Sequence, residues 1–377
     1  MHVDTLATPA LLLDLEILEH NLATMQRKAE EHKVRLRPHI KTHKSLEIAR
    51  LQRELGAKGI TASTFFEVQQ FAAAGFNDIT WALPIPFPYV HQVLDLPEEV
   101  TVRITVDSMD AIEHVVKICT NRKKKLHVWL EIDCGQHRSG VDPRSPHAEE
   151  MVRLLDRSPA IEFDGVLTHA GHAYGARVRD DLKRFAEEER SVTVGFAEGM
   201  REKGYKMENV SVGSTPTMSA TENLKGVDEI RPGNYAFYDY TQASIGSCSV
   251  GDCALTVLAT VISHQPDSLH FVTDAGALAL SKDPGPTHVR NDMGMGILFE
   301  DYERKRLHAH LQLTALSQEH GKVVADRIEL IKDRFKVGDR VRILEHHSCL
   351  TAAQFDKYYV VKGNDVVDQW KVLRGRI

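Results

Sequence analysis

Residues 34–64, VRLRPHIKTHKSLEIARLQRELGAKGITAST, contain the pattern that decides the fold. Residues 34–41 are typical of a strand, and residues 59–64 predict a second one. Between them, a helix that stops at Gly56 is predicted by an apolar face made of Leu46, Ile48, Leu51 and Leu55. Because a strand–helix–strand unit joins parallel strands, the stretch predicts the beginning of a parallel α/β sheet.

The same alternation continues along the next part of the chain. Further strands are predicted at residues 78–83, 101–107, 126–133, 163–169, 209–213 and 228–233. The longest intervening helix is predicted over residues 179–203, and the weakest near residues 218–224. Eight strands over about 200 residues predict a (β/α)₈ TIM barrel, which we assign to residues 16–245. A doubly wound open sheet is the alternative architecture.

After residue 246 the pattern changes to strands without long helices between them. These strands are predicted at residues 254–264, 269–280, 310–314, 340–344, 358–361 and 366–373, the last two joined by a hairpin turn at residues 362–365. An opening strand at residues 10–15 precedes the barrel. We therefore predict a second, antiparallel β domain formed by residues 1–15 and 246–377.

Composition excludes several classes of protein. Hydrophobic residues make up 42% of the 377 residues, the net charge is −6, and no basic cluster predicts nucleic-acid binding. No apolar run approaches the roughly 20 residues of a membrane helix. The N-terminus lacks the basic and apolar regions of a secretory signal. Five scattered cysteines are typical of reduced thiols, so we expect a cytoplasmic protein.

The first predicted strand has one charged face and one apolar face. Side chains alternate along a strand, so one face carries Arg35, Arg37, His39 and Lys41. Inside a barrel, unpaired charges are costly, so these groups should bind each other or an anionic ligand. Lys41 lies at the carboxyl end, where barrel enzymes place their chemistry, and neighbouring cations favour an uncharged, nucleophilic amine. An exposed edge strand with a solvated basic face is the other interpretation.

Segments throughout the chain resemble the D-serine dehydratase and D-threonine aldolase family, which has an alanine-racemase-like barrel. RPHIKTHK at residues 37–44 resembles the family's pyridoxal-phosphate lysine segment. The other matching segments, in chain order, are TPALLLD (8–14), EIDCGQHRSGV (131–141), GVLTHAGHAY (165–174), SVGSTPT (211–217), RPGNYAFYD (231–239) and HHSCLTAA (346–353).

The resemblance implies a role for each matching position. Lys41 would be the lysine that carries pyridoxal 5′-phosphate, and Arg138 would face the pyridine nitrogen. A permanent cation there makes the ring a weaker electron sink. A salt bridge from Arg138 to Asp133 or Asp107 is the alternative. The remaining cofactor-binding residues would be His169 and Tyr174 beside the ring, and Gly213, Ser214, Thr215, Gly233 and Asn234 in the phosphate loops after the last two strands.

The pair His347 and Cys349 is the candidate metal site. Both follow a predicted strand, and a spacing of two places side chains on one face of a strand. Imidazole and thiolate suit Zn²⁺, and two protein ligands leave positions open for substrate. Spacing alone leaves coincidence open. The resemblance implies a zinc ion, or another divalent cation, near Lys41, since the family's dehydratases carry His-x-Cys where its aldolases usually carry His-x-Asp.

The resemblance implies a lyase that converts D-serine, or a related D-3-hydroxy amino acid, to a 2-oxo acid and ammonia. The metal would polarise the β-hydroxyl while Lys41 removes the α-proton. The alternatives are a D-threo-3-hydroxyaspartate dehydratase, retro-aldol cleavage as in D-threonine aldolase, racemisation, and a non-catalytic pyridoxal-phosphate-binding protein. The β domain argues against the last, and we find no second acid for racemisation. Fold relatives imply a homodimer in which one subunit's β domain covers the partner's barrel.

Overall fold

The computed structural model describes residues 1–375, which divide into two compact units. The first unit contains Met1–Ala23, Thr42–Glu47 and Asn234–Arg374. The second contains Thr24–Lys41 and Ile48–Gly233. The second unit ends at Gly233 and the first unit continues from Asn234, whereas the predicted domain boundary lies after residue 245. Our assignment of residues 16–245 and of residues 1–15 with 246–377 stays a prediction.

The chain begins with a strand and a helix. Strand β1 is Ala10–Asp14 and helix α1 is Leu15–Glu31. The buried face of α1 carries the apolar residues Leu18, Leu22, Met25 and Ala29, whose three- and four-residue spacing is that of one helix face. All five residues of β1 are buried, so this strand is a central element.

Eight parallel strands form the sheet of the second unit. They are β2 (Arg35–Leu36), β3 (Ile60–Ala62), β4 (Asp78–Pro84), β5 (Thr101–Val106), β6 (Leu126–Glu131), β7 (Ile161–Leu167), β8 (Asn209–Val212) and β9 (Glu229–Ile230). Their order is β2-β9-β8-β7-β6-β5-β4-β3. The two end strands are joined by backbone hydrogen bonds from Thr61 N to Pro38 O (2.8 Å) and from Ile40 N to Thr61 O (2.9 Å). The sheet therefore curls into a barrel, which confirms the predicted fold class over the open sheet.

Helices follow most of these strands. They are α2 (Leu46–Leu55), α3 (Phe65–Ala73), α4 (Tyr89–Leu94), α5 (Met109–Arg122), α6 (Pro146–Arg157), α7 (Arg179–Glu202) and α8 (Thr215–Ala220). The predicted stop of α2 is confirmed by Gly56, whose φ of +120° suits glycine. Within residues 1–375, no helix has the length and apolar character needed to cross a membrane.

The first strand is much shorter than the predicted residues 34–41. Strand β2 ends at Leu36, although backbone hydrogen bonds from Arg37 N to Ile230 O (2.9 Å) and from His39 N to Pro232 O (3.0 Å) continue along the sheet. On the other side, an isolated parallel bridge joins His39 and Thr61. Lys41 therefore lies beyond the strand, although it stays on the carboxyl side of it.

The charged face of this segment is partly neutralised inside the barrel. Arg37 has only 4% of its side chain exposed, and its guanidinium donates to Glu229 Oε2 and to Asp78 Oδ1, each at 2.7 Å. Arg35, in contrast, is exposed and donates to Asn209. Arg37 is thus buried as the barrel interpretation expects, but it pairs with carboxylates of other strands rather than with its own face or a ligand, and the solvated surface describes Arg35.

Replacing Arg37 with alanine is expected to lower the free energy of unfolding by about 3–5 kcal/mol, because Glu229 would keep a buried charge without its partner. Urea unfolding followed by circular dichroism measures this loss. Arg35→Ala, two residues away and exposed, is the control and should change stability by less than about 0.5 kcal/mol. Similar losses for both variants would contradict the assigned role of the buried pair.

The first unit contains a ten-stranded, mostly antiparallel sheet. Its strands after β1 are β10 (Leu255–His264), β11 (His270–Thr273), β12 (Ile297–Asp301), β13 (Arg306–Leu307), β14 (Leu311–Leu316), β15 (Gly321–Ala325), β16 (Arg340–Leu344), β17 (Lys357–Lys362) and β18 (Asp365–Lys371). Strand β1 pairs antiparallel with β10 and parallel with β17. The opening strand therefore joins the C-terminal sheet, as predicted.

Two further expectations for this unit have different outcomes. The predicted hairpin is confirmed by the pairing of Lys362 with Asp365 and by Gly363, which has φ +57°. A short helix, α9 (Tyr240–Ser244), precedes β10. The predicted strand at residues 269–280 is wrong in its second half, which contains another short helix, α10 (Ala277–Leu280). Gly276 precedes α10, and a Cβ there would lie 2.4 Å from the Gln318 carbonyl oxygen. A side chain at this position would therefore clash with the neighbouring backbone.

Candidate functional site

The backbone of Lys41 is positioned by hydrogen bonds that involve His39. Its backbone N–H donates to His39 Nδ1 at 3.5 Å, and His39 Nε2 lies 3.3 Å from Ser63 Oγ. Lys41 is half-buried and follows the carboxyl end of β2, on the side of the barrel that carries catalytic groups in this class of fold. The sequence therefore locates the lysine correctly relative to the sheet, although not on a strand.

His169 links several of the predicted cofactor-binding residues. It follows β7, and its ring hydrogen-bonds the backbone of Gly213, which follows β8. The pKa of His169 is lowered well below 6.5, first by burial and then by the positive charges of Lys41, Arg138 and Arg231. The imidazole is therefore neutral at physiological pH, in a region where three cationic side chains converge.

The stretch after β8 is a tightly capped turn. Gly213 has φ +117°, and a Cβ there would lie 3.0 Å from Met218 Cγ, so glycine is favoured. Ser214 caps α8, its N–H donating to Thr217 Oγ1 at 3.0 Å. These groups are already used within the turn. The proposed contacts of Gly213, Ser214 and Thr215 with a phosphate stay a prediction.

Carboxylates on two sides hold the loop that carries Arg138. Asp133 Oδ1 accepts the N–H of His137 at 3.0 Å, and Asp107 Oδ2 accepts the N–H of Gly140 at 3.1 Å. His137 has φ +56°, an uncommon conformation that these bonds maintain. Among residues 1–375, Arg138 is exposed and forms no salt bridge with either aspartate, so its guanidinium is not committed to the predicted alternative.

Tyr174 and Gly233 occupy two other loops of the barrel unit. Tyr174 is half-buried in the 3₁₀ turn Gly171–Gly175, which follows β7. Gly233 is buried at the end of the segment after β9, where the preceding Pro232 carbonyl accepts the N–H of His39 at 3.0 Å. Their predicted contacts with a cofactor stay predictions.

His347 and Cys349 lie at the start of a helix rather than along a strand. Strand β16 ends at Leu344, and His347 is the N-cap of α11 (Ser348–Ala352). The strand argument for a shared face is therefore wrong. The first helical turn nevertheless brings the two side chains into hydrogen-bond contact. His346, next to them, is buried and stacks on Tyr240.

Asp283 lies behind His347 and was not found from the sequence. Its Oδ2 is 2.8 Å from His347 Nδ1, which leaves Nε2 as the outward nitrogen. Burial lowers the pKa of His347, but the bonds to Asp283 and Cys349 outweigh it and raise that pKa to about 11. A metal ion bound here would displace this proton. A carboxylate hydrogen-bonded to a ligating histidine is a recurrent feature of metal sites.

Cys349 has two further polar neighbours. Thr42 Oγ1 lies 3.2 Å from its sulfur, and Asn234 Nδ2 donates to the sulfur at 3.8 Å. The same Nδ2 lies 2.7 Å from Asp239 Oδ2 and 2.8 Å from Ser348 Oγ, so its two hydrogens are shared among three acceptors. The structure thus places the side chain of Asn234, predicted to help bind the phosphate, beside the candidate metal ligand.

Within residues 1–375, no group of three or more His, Cys, Asp or Glu side chains is arranged to hold a metal ion. The predicted site needs only two protein ligands, His347 and Cys349, and its metal binding stays a prediction.

Two buried residues near the barrel's carboxyl side were also missed. Arg231, 5% exposed, donates to the Thr168 carbonyl and to Ser211, and Glu189 is fully buried. Arg231 is part of the quoted segment RPGNYAFYD, so the resemblance could have indicated it. Glu189 lies within a charged helix, and nothing in its local pattern distinguishes it from solvated neighbours.

The fold and these sites define an alanine-racemase-like protein. The family described as "Alanine racemase, N-terminal domain" matches residues 13–241, and the family described as "Putative serine dehydratase domain" matches residues 254–361.

Relatives along the whole chain specify the family further. D-threo-3-hydroxyaspartate dehydratase of Delftia sp. is 39% identical over 98% of both chains. D-serine dehydratase of Dictyostelium discoideum is 36% identical over 98% of this chain and 97% of the relative. A cysteine-to-alanine mutant of D-threo-3-hydroxyaspartate dehydratase in the metal-free form superposes with a TM-score of 0.93 at 38% identity, covering all of both chains. This chain belongs to the alanine-racemase-like family of D-serine dehydratases and their relatives.

If His347 and Cys349 bind zinc, as predicted, Asp283→Ala is expected to weaken the zinc affinity about 10–100-fold, because the carboxylate orients His347 and increases its basicity. Competition with a chromogenic chelator measures the affinity on the full chain. Asp326→Ala is the matched control, since Asp326 forms a similar bond, 3.0 Å, to the exposed His310 of the same unit. Unchanged zinc affinity in the Asp283 variant would refute its orienting role.

Proposed function

We propose that this protein is a pyridoxal-phosphate-dependent lyase that converts a D-3-hydroxy amino acid, D-serine or D-threo-3-hydroxyaspartate, to a 2-oxo acid and ammonia. Lys41 would carry the cofactor, and His347 with Cys349 would hold a divalent metal ion, for which zinc is our assignment. The observation that carries the proposal is the contact of His347 with both Asp283 and Cys349, because imidazole and thiolate are zinc ligands and a carboxylate commonly orients a metal-binding histidine.

The residues around Lys41 fit an anionic cofactor. Lys41, Arg138 and Arg231 all act on His169 as positive charges, and they would attract a phosphate or phenolate, while Glu131, Glu189 and Glu229 act on Arg231 as negative charges. When bound, pyridoxal phosphate would supply an electron-withdrawing ring for the substrate amine. His169, neutral and hydrogen-bonded to Gly213, adds no further positive charge.

The donor set in the other unit fits a borderline-soft divalent cation. His347 offers Nε2, and Cys349 offers sulfur. When bound, the metal would act as a Lewis acid on the substrate's β-hydroxyl. The related dehydratase solved in a metal-free form as a cysteine mutant supports the assignment of a metal to a cysteine in this family.

The chain's own groups would divide the reaction between them. If the cofactor and the metal bind as proposed, the Nζ of Lys41 would take the α-proton of the substrate. Arg138 and Arg231 would balance the negative charge of the cofactor. His347 and Cys349 would hold the metal that binds the β-hydroxyl and receives it as hydroxide when the C–O bond breaks. Loss of the proton and the hydroxide together would leave little negative charge on Cα, which is compatible with a weak electron sink, and hydrolysis of the remaining C=N bond by water would give the 2-oxo acid and ammonia.

The proposed localisation, oligomeric state and reaction class rest on the resemblance and on single observations. None of the five cysteines forms a disulfide among residues 1–375, which supports a cytoplasmic protein. The proposed homodimer rests on the resemblance. Retro-aldol cleavage remains the second candidate reaction, and its products distinguish it.

Lys41→Ala is expected to abolish the visible absorbance of the lysine-bound cofactor, because no other amine would be in place to attach it. Absorbance spectra of the purified variant after incubation with pyridoxal phosphate measure this. Lys44→Ala, in the same RPHIKTHK segment, is the control and should keep the band. A band that persists in the Lys41 variant would exclude it as the attachment point.

Cys349→Ala is expected to reduce 2-oxo acid formation about 100-fold or more while keeping the visible band, because it removes a metal ligand and not the cofactor. The assay follows pyruvate and ammonia from D-serine, and oxaloacetate and ammonia from D-threo-3-hydroxyaspartate. Cys248→Ala, also a half-buried cysteine of this unit, is the control.

The identity of the products decides the reaction class. Glycine with an aldehyde, in place of the 2-oxo acid and ammonia, would establish retro-aldol cleavage instead. Full activity of the Cys349 variant in metal-free buffer would rule out the Lewis-acid role.

A further inference from the structure

Glu189 is a fully buried carboxyl group that the proposed reaction does not use. It lies in the middle of α7, with no exposed surface. Its Oε1 accepts the backbone N–H of Ala170 and that of Gly213, each at 3.0 Å. Its Oε2 accepts the hydroxyl of Thr217 at 2.8 Å. One side chain therefore binds two separate loops, the one after β7 and the one after β8.

Each of these loops carries predicted cofactor-binding residues. Ala170 directly follows His169, and Gly213 opens the stretch Gly213–Ser214–Thr215. The ring of His169 hydrogen-bonds the backbone of Gly213, so the two loops contact each other where Oε1 bridges them. A single oxygen that accepts from both loops fixes their separation to within the range of two hydrogen bonds.

The second carboxyl oxygen controls the turn that begins α8. Thr217 Oγ1 donates to Glu189 Oε2 and accepts the N–H of Ser214 at 3.0 Å. The carboxylate thereby determines the direction of the hydroxyl, and the hydroxyl determines the position of the Ser214 peptide. Loss of the glutamate would leave two buried backbone N–H groups without an acceptor, which is costly for these loops.

We propose that Glu189 is a positioning residue that holds the loop of His169 and the phosphate loop of Gly213–Thr215 in the spacing required for the cofactor's phosphate. This inference rests on the proposed function, because it takes pyridoxal phosphate as the ligand of these loops. Glu189 acts through the peptide groups of Ala170 and Gly213 and touches no reacting atom.

The hydrogen bonds of Glu189, rather than its charge, should perform this role. Burial raises the pKa of Glu189, and the bonds from Thr217, Gly213 and Ala170 oppose that rise. Glutamine keeps the acceptor oxygen for both N–H groups. Its amide end can donate to Thr217 Oγ1, whose own hydrogen then turns to the Ser214 carbonyl, 3.2 Å away. Aspartate keeps the charge but is one methylene too short to bridge the loops.

The test compares the affinities of the full-length chain for pyridoxal phosphate and for pyridoxal, which lacks the phosphate. Dissociation constants are measured by absorbance titration of cofactor-depleted protein. The variants are Glu189→Ala, Glu189→Asp and Glu189→Gln. Thr193→Ala is the matched control, because Thr193 is equally buried one turn along α7 and donates only to the Glu189 carbonyl, at 2.7 Å.

In the alanine and aspartate variants we expect pyridoxal phosphate to lose about tenfold or more of its affinity advantage over pyridoxal. The glutamine variant and the Thr193→Ala control should stay within about threefold of the unmodified protein. If the alanine variant does not fold, the aspartate variant decides the question. A general packing role would weaken both ligands equally and leave their ratio unchanged, and that result would overturn the inference.

The unmodified chain separates this inference from the proposed function. If it binds neither pyridoxal phosphate nor pyridoxal, the proposed function fails and the inference fails with it. If it prefers pyridoxal phosphate and the aspartate variant retains the full preference, the function stands and only the role of Glu189 is lost.

Discussion

Closure of the barrel beside Lys41 is the constraint on which the candidate site depends. A curled sheet of eight strands leaves no edge only if its first and last neighbours pair, and here that pairing uses Pro38, Ile40 and Thr61. These hydrogen bonds fix the backbone immediately before the lysine. The interior must then accept Arg37, which is possible because Glu229 and Asp78 neutralise it. Closure and charge pairing together determine where the lysine backbone lies.

At both candidate sites, carboxylate side chains accept hydrogen bonds from functional loops and hold them in place. Asp133 and Asp107 hold the loop of Arg138, Glu189 holds the loops after β7 and β8, and Asp283 holds His347. Each carboxylate accepts a hydrogen bond from a donor that would otherwise be unpaired. Except for Asp133, each carboxylate lies in a different element from the loop that it holds. Such hydrogen bonds make functional loops rigid without apolar packing, so that a polar pocket can keep its shape.

The sequence predicted the secondary structure better than it predicted the carboxylates that hold the loops. Apolar periodicity indicated the barrel, the opening strand that joins the β sheet, and the stop of α2 at Gly56, because each depends on local pattern. The pattern failed at residues 37–41, which lie beyond the end of β2, and at His347, where a helix begins. Glu189 and Asp283 could not be predicted at all. Their partners are 24 and 64 residues away at Gly213 and His347, and only the folded chain brings them together.

The surroundings of Cys349 bear on why a thiolate could serve a dehydratase. A thiolate gives more charge to a metal than a carboxylate does, which makes the metal a weaker Lewis acid. Once the thiol is ionised it has no proton to give, so Thr42 must donate to it, as Asn234 already does. Both bonds withdraw charge from sulfur, whereas Asp283 adds basicity to His347. The Lewis acidity of a metal at this site would therefore depend on two opposing effects. These are the hydrogen bonds donated to the Cys349 sulfur, and the Asp283 carboxylate, which accepts a hydrogen bond from His347.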